Sequence, residues 1–171
     1  MNRVESFALA AGEAPRVLVL GSMPGVASLT AVQYYAHPRN AFWPIMADFF
    51  GFDRDAPYDD RLAALLAKRV ALWDVLQSCV RPGSLDSAIE RDSMVPNPID
   101  SWMATQPSLQ TVLLNGGRAA TEFRRYFKAI LSNPNIEVVT LPSTSPAYAA
   151  MRFEEKRDRW HHALHRALQP S

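Results

Sequence analysis

Four short, apolar-rich runs, each stopped by a residue that turns or caps the chain, limit what these 171 residues can become. The first, Val17-Leu18-Val19-Leu20, is β-branched at every second position and halted by Gly21. Val70-Ala71-Leu72-Trp73 ends at Asp74, Leu109 to Leu114 ends at Asn115-Gly116-Gly117, and Ile136 to Leu141 ends at Pro142. Runs of this length read as buried strands, the habit of parallel sheets. Helical spacing fills the gaps between them. Phe42, Trp43, Ile45, Met46, Phe49 and Phe50 form one stripe before Gly51, and Leu62, Ala63, Leu65 and Leu66 form another. Helices are also predicted from Ile99 to about Gln106, from Arg118 to Leu131, and from about Ala149 to Leu168. Strands alternating with helices predict right-handed crossovers and a three-layer α/β/α fold around a four-stranded, mainly parallel sheet. Gly21, Asp74, Asn115 and Pro142 then share one sheet edge, where open α/β sheets bind ligands.

Three segments are less regular. Residues before Arg16 show no clear period and are expected to form a short helix or arm over the sheet, since Phe7 and Leu9 need burial. Val26 to Tyr35 fits either a loop or a short helix. Val75 to Ile89 carries Arg81-Pro82-Gly83 and then Ser84-Leu85-Asp86, which reads as a turn followed by a capped helix start.

With 48% hydrophobic and 20% charged residues, the composition predicts one domain over 1–171. No apolar run is long enough to span a bilayer and the N-terminus lacks a signal pattern, so no membrane association is expected. The single cysteine, Cys79, excludes an internal disulfide and any cluster held by four thiolates. It is expected to be a small buried hydrophobe, and a reducing cytoplasm is the natural compartment. Eighteen basic against 17 acidic residues give a net charge of +1, so any nucleic-acid contact must rest on a local face and on backbone donors. His161 and His165 share a helix face, but a third ligand at metal-site spacing is missing, and that face reads as solvated. The same holds for Arg152, Lys156, Arg157 and Arg159, which alternate with acids.

The densest chemistry follows the first run. Gly21-Ser22-Met23-Pro24-Gly25 is a tight turn at a strand end, followed by Tyr34, Tyr35, His37 and Asn40, with Pro38 stiffening the segment and Phe42-Trp43 anchoring it. Flat rings, amides and fixed turns suit a planar polar ligand such as a nucleobase. Asn40 is also placed to cap the following helix.

GSMPG followed by YYAHPRNAFW resembles the first motif of the hypoxanthine-DNA (deoxyinosine) glycosylases, a branch of the uracil-DNA glycosylase superfamily. LWDVLQSCVRPGSLDSAI, LLNGGRAA and PSTSPAYA agree in order and spacing, so the resemblance runs from Arg16 almost to the end. It implies a monofunctional enzyme that hydrolyses the N-glycosidic bond of a deaminated base in DNA, hypoxanthine favoured; a monomer is expected, and the single cysteine and incomplete histidine set predict no metal or redox cofactor. A uracil- or mismatch-specific glycosylase is the neighbouring reading, and a non-catalytic module for nucleobases or damaged DNA the more distant one.

The resemblance places Asn40 as the catalytic residue, orienting water through its amide oxygen, with His37 donating to the base or to a phosphate. Gly21, Ser22, Met23, Tyr34, Tyr35, Phe42, Asp74 and Asn115 are the expected base-binding set. One tyrosine should stack on the base and the other pack; Asp74 could accept the N1 proton of hypoxanthine, and Asn115 could bond the base or hold the site's backbone. Met23 stands near where other branches of the superfamily carry an acidic or amide residue. Pro24, Gly25, Ser143, Thr144, Ser145 and Pro146 are expected to meet DNA through hydroxyls and free backbone N–H groups. The family pattern has asparagine after SPA; Tyr148 stands there and is the expected wedge.

Overall fold

The structure, a computed structural model, describes residues 3–169. In chain order its elements are β1 (Arg3–Glu5), β2 (Val17–Gly21), α1 (Val26–Ala31), α2 (Phe42–Phe50), α3 (Tyr58–Ala67), β3 (Val70–Asp74), β4 (Leu76–Val80), β5 (Val95–Pro96), α4 (Ile99–Met103), β6 (Thr111–Asn115), α5 (Gly117–Tyr126), α6 (Lys128–Leu131), β7 (Glu137–Leu141) and α7 (Phe153–Leu168). The four expected strands form one parallel sheet in the order β3-β2-β6-β7. The chain leaves β2 for β3 on one side and later returns to β6 on the other. That reversal puts a crevice at the carboxyl end of β2, where ligands bind in sheets of this kind.

Both faces of the sheet are covered, and period-two alternation divides the core. Leu18, Leu20, Ala71, Trp73, Val112 and Leu114 point into one cluster with Ala119 and Phe123 of α5 and Ile99 of α4. Val17, Val19, Val70, Leu72 and Leu113 point into the other, with Phe42, Ile45 and Met46 of α2, Leu65 of α3, and Trp160 and Leu164 of α7. Full burial of each such leucine or isoleucine stabilises the fold by about 1.5–3 kcal/mol. This is the expected three-layer α/β/α architecture. No helix among the described residues is long and apolar enough to cross a membrane.

The structure departs from expectation in three places. Residues 3–5 are neither helix nor loose arm: β1 pairs antiparallel with β4, and β5 joins the other edge of β4 to make a second, three-stranded sheet. Val75 to Ile89 accordingly holds a strand and then a short 3₁₀ turn at Asp86–Ala88, with no α-helix start. The helix expected over 118–131 is broken at Phe127, whose φ of −130° and ψ of 45° separate α5 from α6. Helix α2 ends as expected at Gly51, whose φ of 81° is the left-handed conformation that glycine adopts freely.

Candidate active site

Strand register assembles the floor of the site. Gly21 pairs with Asp74, Asn115 pairs with Leu141, and Leu20 faces Leu114, so the four strands end at one level. Asp74 is 3 % exposed and its carboxylate folds back over Gly21. A Cβ on Gly21 would stand 2.6 Å from Asp74 Oδ1 and 3.2 Å from the Tyr35 hydroxyl, so any side chain there would have to displace the buried Asp74 carboxylate. Tyr35 itself has a φ of +57°, a left-handed backbone costing about 1–3 kcal/mol in a bulky residue. Its ring stacks on Phe42 with centroids 4.1 Å apart. The Tyr35 hydroxyl and Asp74 Oδ2 are both buried without a hydrogen-bond partner.

These surroundings move the floor's titrations upward. Burial, then the Asp86 charge, push Asp74 up to about 7, with Arg81 opposing. Burial and then the Asp74 charge push the Tyr35 phenol well above its usual range, and the neighbouring Asn115 amide opposes the shift without closing a hydrogen bond. Tyr34 rises for the same leading reason. Its hydroxyl donates to Ala8 O at 3.0 Å and its carbonyl accepts from Trp43 Nε1 at 2.8 Å, so it is the packing member of the pair.

Asn40 lies one residue ahead of the N-cap of α2. Its Oδ1 accepts from the Phe42 N–H at 3.0 Å, serving the helix start without being the cap itself. Its own N–H donates to His37 O, and the next N–H, of Ala41, donates to Thr144 O, both at 2.9 Å. The turn is therefore held from two sides. His37 Nδ1 accepts from the Arg39 N–H at 3.1 Å, which leaves the proton of a neutral ring on Nε2 as a donor.

The Ser143–Tyr148 loop closes on itself. Asn115 clamps Thr144 with two bonds, Nδ2 to Oγ1 at 3.0 Å and the Thr144 N–H to Oδ1 at 2.9 Å. The Ser145 N–H donates to Ser143 Oγ, the Ala147 N–H to Ser145 Oγ, and the Tyr148 N–H to Ser145 O. The expectation of free backbone N–H groups is corrected at Thr144 and Ser145, whose donors are satisfied internally, as are those of Ala147 and Tyr148; the serine hydroxyl hydrogens remain to offer an anion. Gly116, with φ of +99°, lets the loop approach, since a Cβ there would stand 2.9 Å from Ser143 Cβ.

Lys156 is a second correction. It is 5 % exposed, not on a solvated face, and its Nζ donates to Tyr148 O at 2.7 Å and Ser145 O at 3.3 Å. Burial lowers its pKa. Tyr148, the expected wedge, is 39 % exposed, and its ring lies 5.2 Å from Lys156 Nζ.

A wall that sequence reasoning missed is the segment 81–88. Arg81, 2 % exposed, donates through Nη2 to Pro24 O at 2.5 Å and through Nε to Gly83 O at 2.9 Å. Ser22 Oγ donates to Asp86 Oδ1 at 2.8 Å, and the Val26 N–H donates to Ser84 Oγ at 2.8 Å. Arg118 Nη1 holds the Asp86 carbonyl at 3.0 Å. The local signals were a turn and a capped helix start; a buried arginine bracing the Ser22–Gly25 turn has no sequence signature.

These parts enclose a cavity of about 530 Å³, within the range of small-ligand sites. Gly21, Ser22, Met23, Pro24, Gly25, Tyr34, Tyr35, His37, Asn40, Asp74, Asn115, Ser143, Thr144, Ser145, Pro146 and Tyr148 line it, joined by Phe7, Ser84, Leu85 and Asp86, which were not foreseen. Phe42 does not line it; fully buried, it backs the Tyr35 ring. Cys79 is buried in the core as expected. Among the described residues no group of three or more His, Cys, Asp or Glu could hold a metal ion. His161 Nε2 instead meets Ile45 O at 3.1 Å.

A family model for the uracil DNA glycosylase superfamily matches residues 10–169. A hypoxanthine DNA glycosylase from Methanosarcina barkeri is 35% identical over 136 residues, covering 79% of this chain and 82% of that protein. One of the same name from Methanosarcina acetivorans is 31% identical over 147 residues, 85% of this chain and 87% of that protein. A solution NMR structure from Methanosarcina acetivorans, described as a candidate uracil DNA glycosylase, superposes with a TM-score of 0.81 at 26% identity, covering 98% of this chain and all of that one.

Proposed function

The chain belongs to the uracil DNA glycosylase superfamily, and from that premise we propose that it is a monofunctional glycosylase removing a deaminated base, hypoxanthine foremost, from DNA. The names of the two Methanosarcina relatives support hypoxanthine as the base. The observation that carries the reading is that Asn40 and Asp74 meet on one cavity at the carboxyl ends of the sheet. The protein acts as one domain, as a monomer and without a cofactor.

Asn40 orients the nucleophile. One lone pair of its Oδ1 is fixed on the Phe42 N–H, and the second accepts a hydrogen of the attacking water. The water oxygen bonds to C1′, the C1′–N9 bond breaks with its electron pair going to the purine, and the proton released from water ends on that base. The state between is oxocarbenium-like, so the water needs orientation more than deprotonation, and an amide suffices. Asp74 accepts from the base N1–H, and His37 Nε2 donates to the departing base or an adjacent phosphate. Ser143 and Ser145 hydroxyls contact phosphate beside Pro24, Gly25 and Pro146, and Tyr148 fills the gap left in the duplex.

Duplexes carrying one hypoxanthine, uracil or mismatched base test this. Release of free hypoxanthine, with strand cleavage only after alkali, is expected. Faster release of uracil would favour the second reading, suggested by the name of the solved structure. Tight binding with no release would make the protein a damage-recognition module.

A further inference from the structure

Two features of Tyr35 are left unexplained by packing. Its stack on Phe42 needs only a phenylalanine ring, yet the side chain carries a hydroxyl that is buried with no partner. Its backbone sits at a φ of +57°, a conformation a bulky residue keeps only when its surroundings hold it there. What the conformation achieves is placement: the hydroxyl comes within 3.2 Å, and Asp74 Oδ1 within 2.6 Å, of one point above Gly21. A phenol and a carboxylate therefore stand side by side on the cavity floor, and the second carboxylate oxygen, Oδ2, is likewise buried and unpartnered. Buried polar atoms left so call for an explanation, and on a cavity floor a bound ligand supplies one.

We propose that the Tyr35 hydroxyl and the Asp74 carboxylate form a pair that reads the lactam edge of the flipped base, Tyr35 donating to the ring carbonyl oxygen while Asp74 accepts from the adjacent ring N–H. The proposal rests on the reading of the cavity as a base pocket given above. Deamination supplies the chemical logic. It turns the exocyclic amine and ring acceptor of adenine or cytosine into a carbonyl and a ring N–H. One donor beside one acceptor complements the deaminated edge in a purine and a pyrimidine alike. An undamaged adenine would instead set its N1 lone pair against the carboxylate, an unpaired contact that rejects it. Burial and the neighbouring carboxylate hold the phenol in its protonated, donating form.

Tyr35→Phe keeps the ring and deletes the pairing. Single-turnover release of hypoxanthine should slow about tenfold to a hundredfold, the loss of one buried hydrogen bond to the base. Melting temperature should stay level or rise, because an unpartnered hydroxyl has been removed. On 6-thiohypoxanthine, whose sulfur is a weak acceptor, the penalty should fall to about threefold or less. A variant within about twofold of wild type on hypoxanthine, an equal loss on the thio base, or a loss accompanied by a lower melting temperature each overturns the pairing. If the wild-type protein releases no base from any lesion, the pocket reading itself has failed and the pairing falls with it. Release by wild type with no effect of the variant removes the pairing alone.

Discussion

On the strand-end side of the cavity, the Tyr35 hydroxyl and Asp74 Oδ2 are buried without partners, while on the Ser143–Tyr148 side the backbone donors at 144, 145, 147 and 148 are spent inside the protein. The first side stores desolvated polar groups at a cost of about 1–3 kcal/mol each. The second uses its polar groups to hold a shape. On the proposed reading the difference separates recognition from preorganisation: the open valences on the cavity floor are what a flipped base completes, and the closed ones hold what must not move while it does. Asn40 lies between the two, its oxygen half used by α2 and its turn tied to the Thr144 carbonyl.

Removing the intermediate group should do most damage. Asn40→Ala is expected to slow single-turnover excision by about a hundredfold or more, within the range for loss of a catalytic group. Duplex binding should survive, and stability should drop by only about 1 kcal/mol, the worth of a helix-start hydrogen bond. A near wild-type rate would move the chemistry elsewhere.

Breaking the closed side should have a mixed signature. Asn115→Ala deletes both bonds to Thr144 and through it loosens the support of Ala41. The expected result is a stability loss of about 1–3 kcal/mol in denaturant melts, with excision roughly tenfold slower. Lower stability with an unchanged rate would show that loop geometry does not reach Asn40.

The smallest effect belongs to the rim. Tyr148→Ala should slow excision a few-fold from well-paired duplex and little from single strands, as loss of a stacking wedge does. Equal slowing on both, with a lower melting temperature, would make the ring part of the packing against Lys156.

What was legible in the sequence followed from local pattern. The parallel sheet announced itself in runs such as Val17–Leu20 and Val70–Trp73, and the turn residues that stop them became the floor of the cavity. What was illegible depends on distant partners. Leu76–Val80 mixes Gln77 and Ser78 with apolar residues and becomes a strand through partners distant in sequence, Arg3–Glu5 on one edge and Val95–Pro96 on the other. The break at Phe127 has neither glycine nor proline to signal it. Lys156 reads as a surface charge, and only two loop carbonyls arriving from Ser145 and Tyr148 make its burial tolerable. Tyr35 was legible as an aromatic residue, but the left-handed backbone that brings its hydroxyl over Gly21 was not.

The claim that open valences on the floor read the base is tested most directly by the protonation of Asp74. Burial first and Asp86 second lift it to about 7, against Arg81, so the folded state holds the proton more tightly than an unfolded chain does. Stability from this group is complete below about pH 4 and is lost as pH rises towards about 7, whereas base reading needs the ionised form and gains over the upper part of that window. The decisive measurement is the single-turnover rate of hypoxanthine release by wild type and Asp74→Asn from about pH 5 to about pH 8, with melting temperatures in the same buffers. Wild type should speed up roughly tenfold per pH unit until about 7 and then level off, while Asp74→Asn stays slow and flat and gains relative stability towards alkaline pH. Matching rates and profiles for the two proteins would contradict the account.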